Sequence, residues 1–445
     1  MSEQQPTVIL INPPSPPGHT ANREGAGGLG ALGTGHRGFM YPPQTLAYVG
    51  ASLRAEGYQV TAWDSVALGW KTERLLAELR KVPPEQRAVC GVFASYATLE
   101  TDIVFARTLG AALPDTKIII FGPVVRYMGE QFVREVAIRA AAGPDVELTV
   151  PAAVRTLYGG PLAGAKGLVI KTPAGAMRLP PASPLHDLDS LPRPAWDILP
   201  VARYPFLTIQ ASRGCDDRCA YCPYVAAQGR PRRSRSPEAV VEELAWLQAT
   251  YDKPRIVFRD PVFAADREWV VQLCRSVEKR KLHVTWECES RPEHFDAPLL
   301  RLMHRAGCQM IKIGVETASG VLLERTRRLQ EGWTAARYRQ QVSQVVAAAE
   351  AEGLACRVFV MIGMPGETAR DREETRAFLT QLRPVLLSVK PYWVYPGTDL
   401  TRDGFVNPTL TPEVMRTIQH DWVTLQRRSA SRWQGWLRRL RLRLK

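Results

Sequence analysis

The sequence predicts an α/β chain with two parallel sheets: a doubly wound sheet in its first third, then a partial (β/α)6 barrel. Three observations predict this fold class. Short apolar runs alternate with helical patterns, the alternation stops in a Pro-rich stretch, and it then resumes for six further units. At 445 residues the chain is also too long for one ordinary domain.

The first domain is predicted over residues 1–143. Its apolar runs lie at 8–11, 59–63, 88–94 and 117–121, with helical patterns around 44–56, 71–81, 100–112 and 127–141. Buried strands separated by helices form parallel sheets, and ligands of such sheets bind beyond the carboxyl ends of the strands. Those ends carry Asn12, Asp64 with Ser65, Ser95 and Gly122.

A Gly-rich segment, residues 25–38, follows the first apolar run. It lacks the GxGxxG-then-helix context of a dinucleotide fingerprint. We therefore expect a mobile loop there. Residues 144–202 are rich in Pro and turn signals, which predicts a linker with one small hairpin near 166–178.

The barrel is predicted over residues 203–400. Its strands are expected at 206–211, 255–259, 283–287, 310–315, 355–362 and 386–394. Catalytic groups of barrels sit just after the strands. The residues found there are Cys215, Cys219, Cys222, Asp260, Glu287, Arg291, Glu316, Gly363, Pro365, Gly366, Glu367 and Tyr395.

Three of the eight cysteines lie in one loop, GCDDRCAYC, as CxxxCxxC. This spacing suits thiolate ligation of an iron–sulfur cluster by Cys215, Cys219 and Cys222. No fourth Cys lies nearby in the sequence, so one iron of a [4Fe–4S] cluster would keep an open position for a small molecule. The alternative is a zinc site with a remote His or Cys, although zinc motifs usually comprise paired CxxC or Cys/His units.

The motif resembles that of the radical S-adenosylmethionine (radical SAM) enzymes, CxxxCxΦC, and Tyr221 occupies its aromatic position. In that family the open iron chelates S-adenosylmethionine. Nearly the whole chain resembles the cobalamin-binding subgroup, the class B methylases. The similar stretches are PPQTLAYVGASLRAEGYQVTAWDS, LDSLPRPAWDILP, YPFLTIQASRGC, IKIGVETAS and GMPGET.

The resemblance implies further S-adenosylmethionine contacts, each with a structural alternative. Glu316 would bind the cofactor's amino group or ribose, or else cap a helix. Glu287 and Arg291 would contact ribose and carboxylate, or else form an ion pair. Asp260 would contact the cofactor or cap a turn, and a turn formed by Gly363, Pro365 and Gly366 would let the backbone approach adenine.

The cobalamin prediction rests on a partial match to DxHxxG, Ser and GG. Asp64, Ser65 and Gly69 belong to the first element, but Val66 replaces its His, so no imidazole of that loop can ligate cobalt. Ser95 and Gly122 match the later elements, with Pro123 in place of the second Gly. The resemblance implies that the subgroup tolerates a missing His. The alternative is a relic domain or a substrate lid without corrinoid.

By resemblance, we expect a cobalamin-dependent C-methyltransferase that acts on an unactivated carbon through a 5′-deoxyadenosyl radical and methylcobalamin. The rival is a cyclase, dehydratase or oxidative rearrangement enzyme without methyl transfer. The N-terminal domain offers only Cys90 for the second cluster of a methylthiotransferase, and no Cys follows Cys356 for the auxiliary clusters of peptide-modifying enzymes, so both subclasses are disfavoured. A third reading is a non-enzymatic corrinoid- or lipid-binding protein with a vestigial barrel. A flavodoxin- or ferredoxin-type protein is the implied reductant.

The basic charge is concentrated at the C-terminus, where the region 401–445 is predicted to be helical. Residues 427–445 carry eight of the basic residues behind the net charge of +14. Their Trp/Leu stripe opposite a cationic face fits an interfacial helix on anionic lipid, hence a small-molecule or lipid-like substrate. The alternatives are docking on the barrel or, less favoured, nucleic-acid binding. Lacking a signal peptide or a transmembrane-length apolar run, the chain is expected in the cytoplasm, with contact at the inner membrane face.

Overall fold

The computed structural model describes residues 6–33, 40–251, 255–384 and 386–402, and beyond them only the isolated positions 425 and 434. Within this part the chain forms two compact units. The first comprises residues 1–208 and 223–234, and the second comprises residues 209–222 and 235–445. Of the predicted helical region 401–445, the structure describes only positions 401, 402, 425 and 434, so residues 427–445 lie outside the described residues apart from position 434.

The first unit is built on a seven-stranded sheet of order β4-β1-β5-β6-β7-β8-β9. The strands of this unit are β1 (Thr7–Asn12), β2 (Thr20–Asn22), β3 (Ala31–Gly33), β4 (Gln59–Asp64), β5 (Val89–Phe93), β6 (Lys117–Phe121), β7 (Ile138–Ala142), β8 (Leu168–Thr172), β9 (Gly175–Arg178) and the short β12 (Arg233–Ser234). The strands from β4 to β7 are parallel. The inner strands β1, β5 and β6 are almost fully buried because helices cover them, whereas the edge strand β4 alternates between exposed and buried residues; this pattern confirms the doubly wound prediction.

The helices of this unit are α1 (Gln44–Ala55), α2 (Ser65–Leu68), α3 (Thr72–Lys81), α4 (Leu99–Ala112), α5 (Val125–Arg134), α6 (Val146–Leu157) and α7 (Pro223–Gln228). Helix α7 follows Cys222 directly, and its Tyr224 and Ala227 contact the turn at Gly27. The first unit therefore includes the segment that immediately follows the cysteine loop.

Two segments of the first unit differ from the sequence prediction. The predicted helix 127–141 ends at Arg134, and the Ala-rich run after it is strand β7, because it pairs with β6. The predicted linker 144–202 contains α6 and the hairpin β8–β9, which extends the sheet antiparallel to β7. The compact unit consequently runs to Thr208 rather than ending at residue 143.

The second unit contains most of a six-stranded sheet of order β10-β13-β14-β15-β16-β17, and the division between the units falls within β10. The strands are β10 (Leu207–Ile209), β11 (Ser212–Arg213), β13 (Arg255–Phe258), β14 (Thr285–Ser290), β15 (Cys308–Glu316), β16 (Ala355–Ile362) and β17 (Leu386–Pro391). Five of the six sheet strands, β13 to β17, are parallel neighbours in chain order, which agrees with the predicted open barrel.

The helices of the second unit are α8 (Pro237–Thr250), α9 (Arg267–Lys279), α10 (Ala297–Arg305), α11 (Gly320–Arg325), α12 (Ala335–Ala351), α13 (Ala369–Leu382) and α14 (Asp399–Arg402). Six of them begin with a side-chain cap on the first turn, from Ser236, Asp266, Asp296, Ser319, Thr334 and Thr368. Across the described part of the chain, none of the helices combines the length and apolar character that a membrane span requires.

Candidate functional site

The cysteine loop of the second unit leaves the sheet after β10 and β11. Gly214 has φ +74°, a conformation that favours glycine and turns the chain into the loop. The backbone of Ala220 is held from two sides, because its N–H donates to Thr326 O at 2.9 Å and its carbonyl accepts from Leu400 N at 3.1 Å. These bonds hold the middle of the cysteine motif in place.

Burial disfavours the ionised form of two of the three thiols. Burial raises the pKa of Cys215 to about 12, and the nearby Asp217 carboxylate adds to this effect. Burial also raises the pKa of Cys219, although the guanidiniums of Arg328 and Arg291 oppose it. Thiolates here therefore need a compensating positive charge of the kind a metal cluster supplies. Within the described ranges, no three His, Cys, Asp or Glu side chains converge on a single metal ion.

Beside the thiols lies a buried network of charged groups. Arg291 Nη1 lies 3.7 Å from Cys219 Sγ and 2.6 Å from Asp217 Oδ1. Its Nη2 donates to Glu293 Oε1 at 2.7 Å and to Arg328 O at 2.6 Å. Arg291 therefore links the cysteine loop to the end of β14 and to the segment after α11.

Arg328 completes this network from the other side. Its Nη1 donates to Glu293 Oε1 at 3.0 Å, its Nη2 donates to Gly314 O at 2.6 Å, and its guanidinium lies 5.1 Å from the Tyr338 ring centroid. Burial opposes ionisation of Glu293, but Arg328 and Arg291 outweigh it and hold the pKa of Glu293 below its usual range. The two guanidiniums are matched in formal charge by Glu293 and Asp217, and both oppose the burial that raises the pKa of Cys219, so they favour its thiolate form.

Glu316 ends β15 in a strained conformation. Its φ is +67°, unusual for a residue with a side chain, and the β15–β16 register shifts between Gly314 and Glu316. A Cβ on Gly314 would lie 2.3 Å from Glu316 Oε1, so the carboxyl group folds back over that glycine. Burial raises the pKa of Glu316 to about 7, with Arg328 opposing and Glu289 assisting. Strained backbone and a raised pKa together make Glu316 a candidate functional carboxyl group.

The predicted turn at Gly363, Pro365 and Gly366 is present. Gly363 and Gly366 have φ +84° and +74°, and Gly363 N donates to Glu367 Oε2 at 2.6 Å. A Cβ on Gly366 would overlap the Arg325 guanidinium, so this glycine permits a close approach. Burial raises the pKa of Glu367 to about 7, although its bond from Gly363 N opposes this. The Glu367 carboxyl group therefore links the two ends of this turn.

Tyr221 and the predicted polar residue Asp260 have packing or scaffold roles. Tyr221 is buried in an apolar cluster with Met364, Tyr392 and other residues, against which Cys219 and Cys222 pack. Asp260 accepts from Ala211 N at 3.2 Å and from Ser212 Oγ at 2.6 Å, immediately before the cysteine loop. Tyr221 and Asp260 therefore shape and support the loop.

The sequence suggested that Glu287 lies at a strand end, but the structure places it inside β14. Its oxygens accept from Lys312 Nζ at 2.7 Å and Arg255 Nη2 at 3.1 Å. The strand-end position predicted for Glu287 is wrong because β14 extends to Ser290, three residues further than expected. Arg291 follows the strand end, whereas Glu287 forms an ion pair within the sheet.

The structure adds Asp217, Glu293 and Arg328 to the residues found from sequence. Asp217 lies inside the cysteine motif and Glu293 two residues beyond Arg291, so both stood beside residues already singled out. Arg328 lies after a short helix, three residues beyond the end of α11, and no strand-end signal marked it.

In the first unit, the carboxyl edge of the sheet contains a hydrogen-bonded centre at Asp64. Its carboxylate accepts from Asn12 Nδ2 at 2.7 Å, from Tyr204 Oη at 2.8 Å, and from the N–H groups of Val66 and Ala67. Burial raises the pKa of Asp64, although these bonds oppose it. Gly69 ends the α2 turn at φ +67°. Asp64 and Gly69 thus shape this loop.

Ser95 belongs to a second buried network at the same edge. Its hydroxyl lies 2.8 Å from Thr98 Oγ1, and its N–H donates to Asp102 Oδ2 at 3.2 Å. Asp102 pairs with Arg23 at 2.5 Å, and both side chains are buried. The Arg23 guanidinium also donates to Asn12 Oδ1 at 2.9 Å, which joins this network to Asp64.

The Gly-rich segment lies over this edge as an ordered hairpin. Strands β2 and β3 pair antiparallel across the turn Gly25–Gly28, so the expectation of a mobile loop is wrong for residues 25–33, while 34–38 lie outside the described residues. A Cβ on Gly30 would lie 2.2 Å from Ser95 Oγ, and one on Gly122 (φ +138°) would lie 2.4 Å from Ala94 O. Glycine is thus required where the backbone segments meet.

Comparison with known proteins identifies the second unit. Residues 209–379 match the model of the Radical SAM superfamily. An uncharacterized methyltransferase of Pyrococcus horikoshii is 27% identical over 376 residues, covering 83% of this chain and 80% of the relative. The anaerobic magnesium-protoporphyrin IX monomethyl ester cyclase of Rubrivivax gelatinosus is 23% identical over 404 residues, covering 84% of this chain and 71% of the relative.

Two solved structures share the fold of both units. The radical S-adenosylmethionine methyltransferase TsrM from Kitasatospora setae, with cobalamin and a [4Fe–4S] cluster bound, has a TM-score of 0.70 at 19% identity; the match covers 89% of this chain and 74% of TsrM. The cobalamin-dependent S-adenosylmethionine radical enzyme OxsB has a TM-score of 0.66 at 17% identity; the match covers 95% of this chain and 56% of OxsB. These likenesses show that the chain has the two-part fold of such enzymes.

Proposed function

Since residues 209–379 form a radical SAM domain, whose cofactors are a [4Fe–4S] cluster and S-adenosylmethionine, we propose that this enzyme is a cobalamin-dependent methyltransferase acting on carbon. The observation that carries the proposal is the pairing of this domain, with its three-cysteine loop, with a doubly wound first unit in one chain. TsrM and OxsB, which share both parts of the fold, are structures named for cobalamin.

Residues of the second unit fit the cluster and S-adenosylmethionine. Cys215, Cys219 and Cys222 would hold the cluster, and the Arg291–Arg328 pair would compensate its thiolates. When bound, the cluster supplies the electron for reductive cleavage of S-adenosylmethionine. The Glu316 carboxylate would accept hydrogen bonds from the cofactor's amino group or ribose, and the turn at Gly363–Gly366 would pass along its adenine.

Residues of the first unit fit a corrinoid at the carboxyl edge of the sheet. At Gly30 and Gly122, neighbouring segments approach the backbone too closely for a side chain. Val66 would leave the cobalt without an imidazole from that loop. The Ser65 hydroxyl is buried without a partner in the described structure. When bound, the corrinoid supplies a carrier for the methyl group. Substrate binding by small or lipid-like molecules, with contact of residues 427–445 to a membrane surface, stays a proposal based on the sequence of the tail.

Methyl transfer can be tested without the substrate. The reconstituted full-length enzyme is incubated anaerobically with methyl-labelled S-adenosylmethionine, hydroxocobalamin and a strong reductant. We expect label in the corrinoid fraction, S-adenosylhomocysteine as the second product, and slow formation of 5′-deoxyadenosine. Cys215→Ala should abolish the deoxyadenosine, whereas Cys274→Ala, a buried cysteine of α9, should retain it.

The cyclase named among the relatives supports a second candidate, a corrinoid-containing cyclase or rearrangement enzyme without methyl transfer. In the same assay it would form 5′-deoxyadenosine but neither labelled corrinoid nor S-adenosylhomocysteine. That outcome would overturn the methyltransferase proposal and leave the radical SAM assignment unchanged.

A further inference from the structure

Several polar side chains of the first unit have buried atoms without hydrogen-bond partners among the described residues, and two of these residues begin helices α1 and α2. These two are Gln44, whose Oε1 and Nε2 are both unpartnered, and Ser65, whose Oγ is unpartnered. Gln44 is 4% exposed and Ser65 is 1% exposed. An unpaired buried polar group lowers the stability of the free protein, so a group that persists there is expected to bind something else.

Both residues lie at the carboxyl edge of the sheet. Ser65 follows Asp64, the last residue of β4, which pairs in register with Asn12 at the end of β1. Gln44 begins α1, the helix that follows β1. The next residue, Thr45, donates its N–H to Glu24 Oε1 at 2.8 Å, and Glu24 directly precedes the Gly25–Gly28 turn. Ligands of doubly wound sheets bind at this edge.

The charges at this edge favour a neutral ligand. A phosphate would use N–H groups at the start of α1, but those of Gln44, Thr45 and Leu46 already donate to Pro42 O, the Glu24 carboxylate and Pro43 O. The Arg23 guanidinium is occupied by Asp102, Asn12 and the carbonyls of Pro13 and Pro14. At the starts of α1 and α2 the unpartnered groups are an amide and a hydroxyl, both uncharged and each able to donate and to accept.

We infer that Gln44 and Ser65 bind primary amide groups at the periphery of the corrin ring. This inference rests on the proposed function and names residues of the corrinoid site. An amide pairs with another amide through two complementary hydrogen bonds, so Gln44 matches the acetamide and propionamide side chains that surround a corrin. Ser65 adds a third donor or acceptor beside Val66, at the loop that lacks the cobalt-ligating imidazole.

The test uses full-length protein with hydroxocobalamin and with cobinamide, which keeps the corrin amides and lacks the nucleotide tail. Gln44→Met should weaken the binding of both corrinoids about tenfold, the value of roughly one good hydrogen bond. In corrinoid-free protein the same substitution should raise the thermal midpoint, because it replaces an unpaired amide with an apolar chain of similar length. Ser65→Ala should act in the same two directions, more weakly.

Gln59→Met is the matched control, since Gln59 is an exposed residue at the opposite end of β4. It should change neither corrinoid binding nor the midpoint. If Gln44→Met lowers the midpoint, or leaves corrinoid affinity unchanged, the inference is overturned. If only cobalamin binding weakens and cobinamide binding does not, the amide assignment is also overturned. Failure of the unaltered protein to bind either corrinoid would instead refute the corrinoid part of the proposed function.

Discussion

The carboxyl edges of the two sheets both contain buried polar groups, but those groups differ in charge and in how they are satisfied. In the first unit, Asp64 is surrounded by donors and Asp102 pairs with Arg23, while the amide of Gln44 lacks a partner in the described structure. In the second unit, Arg291 and Arg328 share Glu293 and face a thiol.

This difference indicates what each edge can bind. Unpaired neutral groups favour a large uncharged ligand that carries its own hydrogen-bonding groups. Buried guanidiniums beside a thiol favour its thiolate form and a nearby carboxylate, because each buried cation costs free energy unless an anion offsets it. The two edges are thus suited to different cofactors.

The largest effect should follow loss of the buried cation in Arg328→Met. Arg328 is 2% exposed, and its removal would leave the buried Glu293 carboxylate with a single guanidinium partner. Removing one member of a buried ion pair costs about 3–5 kcal/mol, so we expect a loss of that size in the free energy of unfolding. Urea denaturation followed by circular dichroism measures it.

Arg327→Met is the matched control for Arg328→Met. Arg327 pairs with Asp399 at the surface, where the two side chains are 48% and 42% exposed. Such pairs contribute less than about 1 kcal/mol because solvent screens them. Equal losses in the two variants would contradict the buried, charge-based character of the second edge. Arg328→Lys keeps the charge and should recover part of the loss.

A pH-dependent effect is expected at Glu316. Its pKa is raised from 4.5 to about 7, so its carboxylate forms mainly above pH 7. The charged groups that influence it are Arg328, Glu289, Lys390 and Arg291. We expect S-adenosylmethionine to bind the reconstituted enzyme about tenfold more weakly at pH 6 than at pH 8, since a carboxylate accepts stronger hydrogen bonds than a carboxyl group.

Glu316→Gln should bind weakly and without this pH dependence, whereas Glu324→Gln, at an exposed position of α11, should behave as the unaltered enzyme. The stability of the cofactor-free protein should change in the opposite sense. A carboxyl group whose pKa is raised in the folded protein contributes stability that the protein loses as the pH rises from about 4.5 to 7. Glu316→Gln should therefore be more stable than the unaltered protein at pH 8 and equally stable at pH 4. Equilibrium dialysis and thermal unfolding at both pH values check the two statements.

The sequence predicted strands and motifs well where a local pattern decides the structure. Apolar runs located β1, β6 and β16 within a residue or two, and the cysteine spacing located the loop after the first barrel strand. Pairing partners decide the rest. The run IRAAA of β7 has good helix formers and becomes a strand only because β6 lies beside it. The ion pair of Glu287 likewise depends on Lys312, which is distant in sequence, so no local pattern predicts it.

Arg328 and Gln44 show a second limit. Arg328 contacts Gly314 and Glu293 through tertiary packing, and its position after a short helix looks like an ordinary surface site. Gln44 lies in a Pro-rich helix start, where a polar residue is usual. That its amide is buried without a partner among the described residues is visible only in three dimensions. Burial of polar groups, rather than their presence, distinguishes these residues, and no local pattern encodes it.

The smallest effect should come from Tyr204→Phe, which tests the satisfied part of the first edge. The Tyr204 hydroxyl donates to Asp64 Oδ2 at 2.8 Å, and Asp64 keeps Asn12 and two backbone donors when it is lost. We expect a loss of about 1–2 kcal/mol in the free energy of unfolding and unchanged iron content, because the cysteine loop belongs to the other unit. Gln44→Met, at the same edge, should shift stability in the opposite direction, since it removes an unpaired group while Tyr204→Phe removes a paired one. If both variants destabilise the protein, the amide of Gln44 has a structural partner. The two edges would then differ in charge alone, and the case for a neutral ligand at the first edge would lose its support.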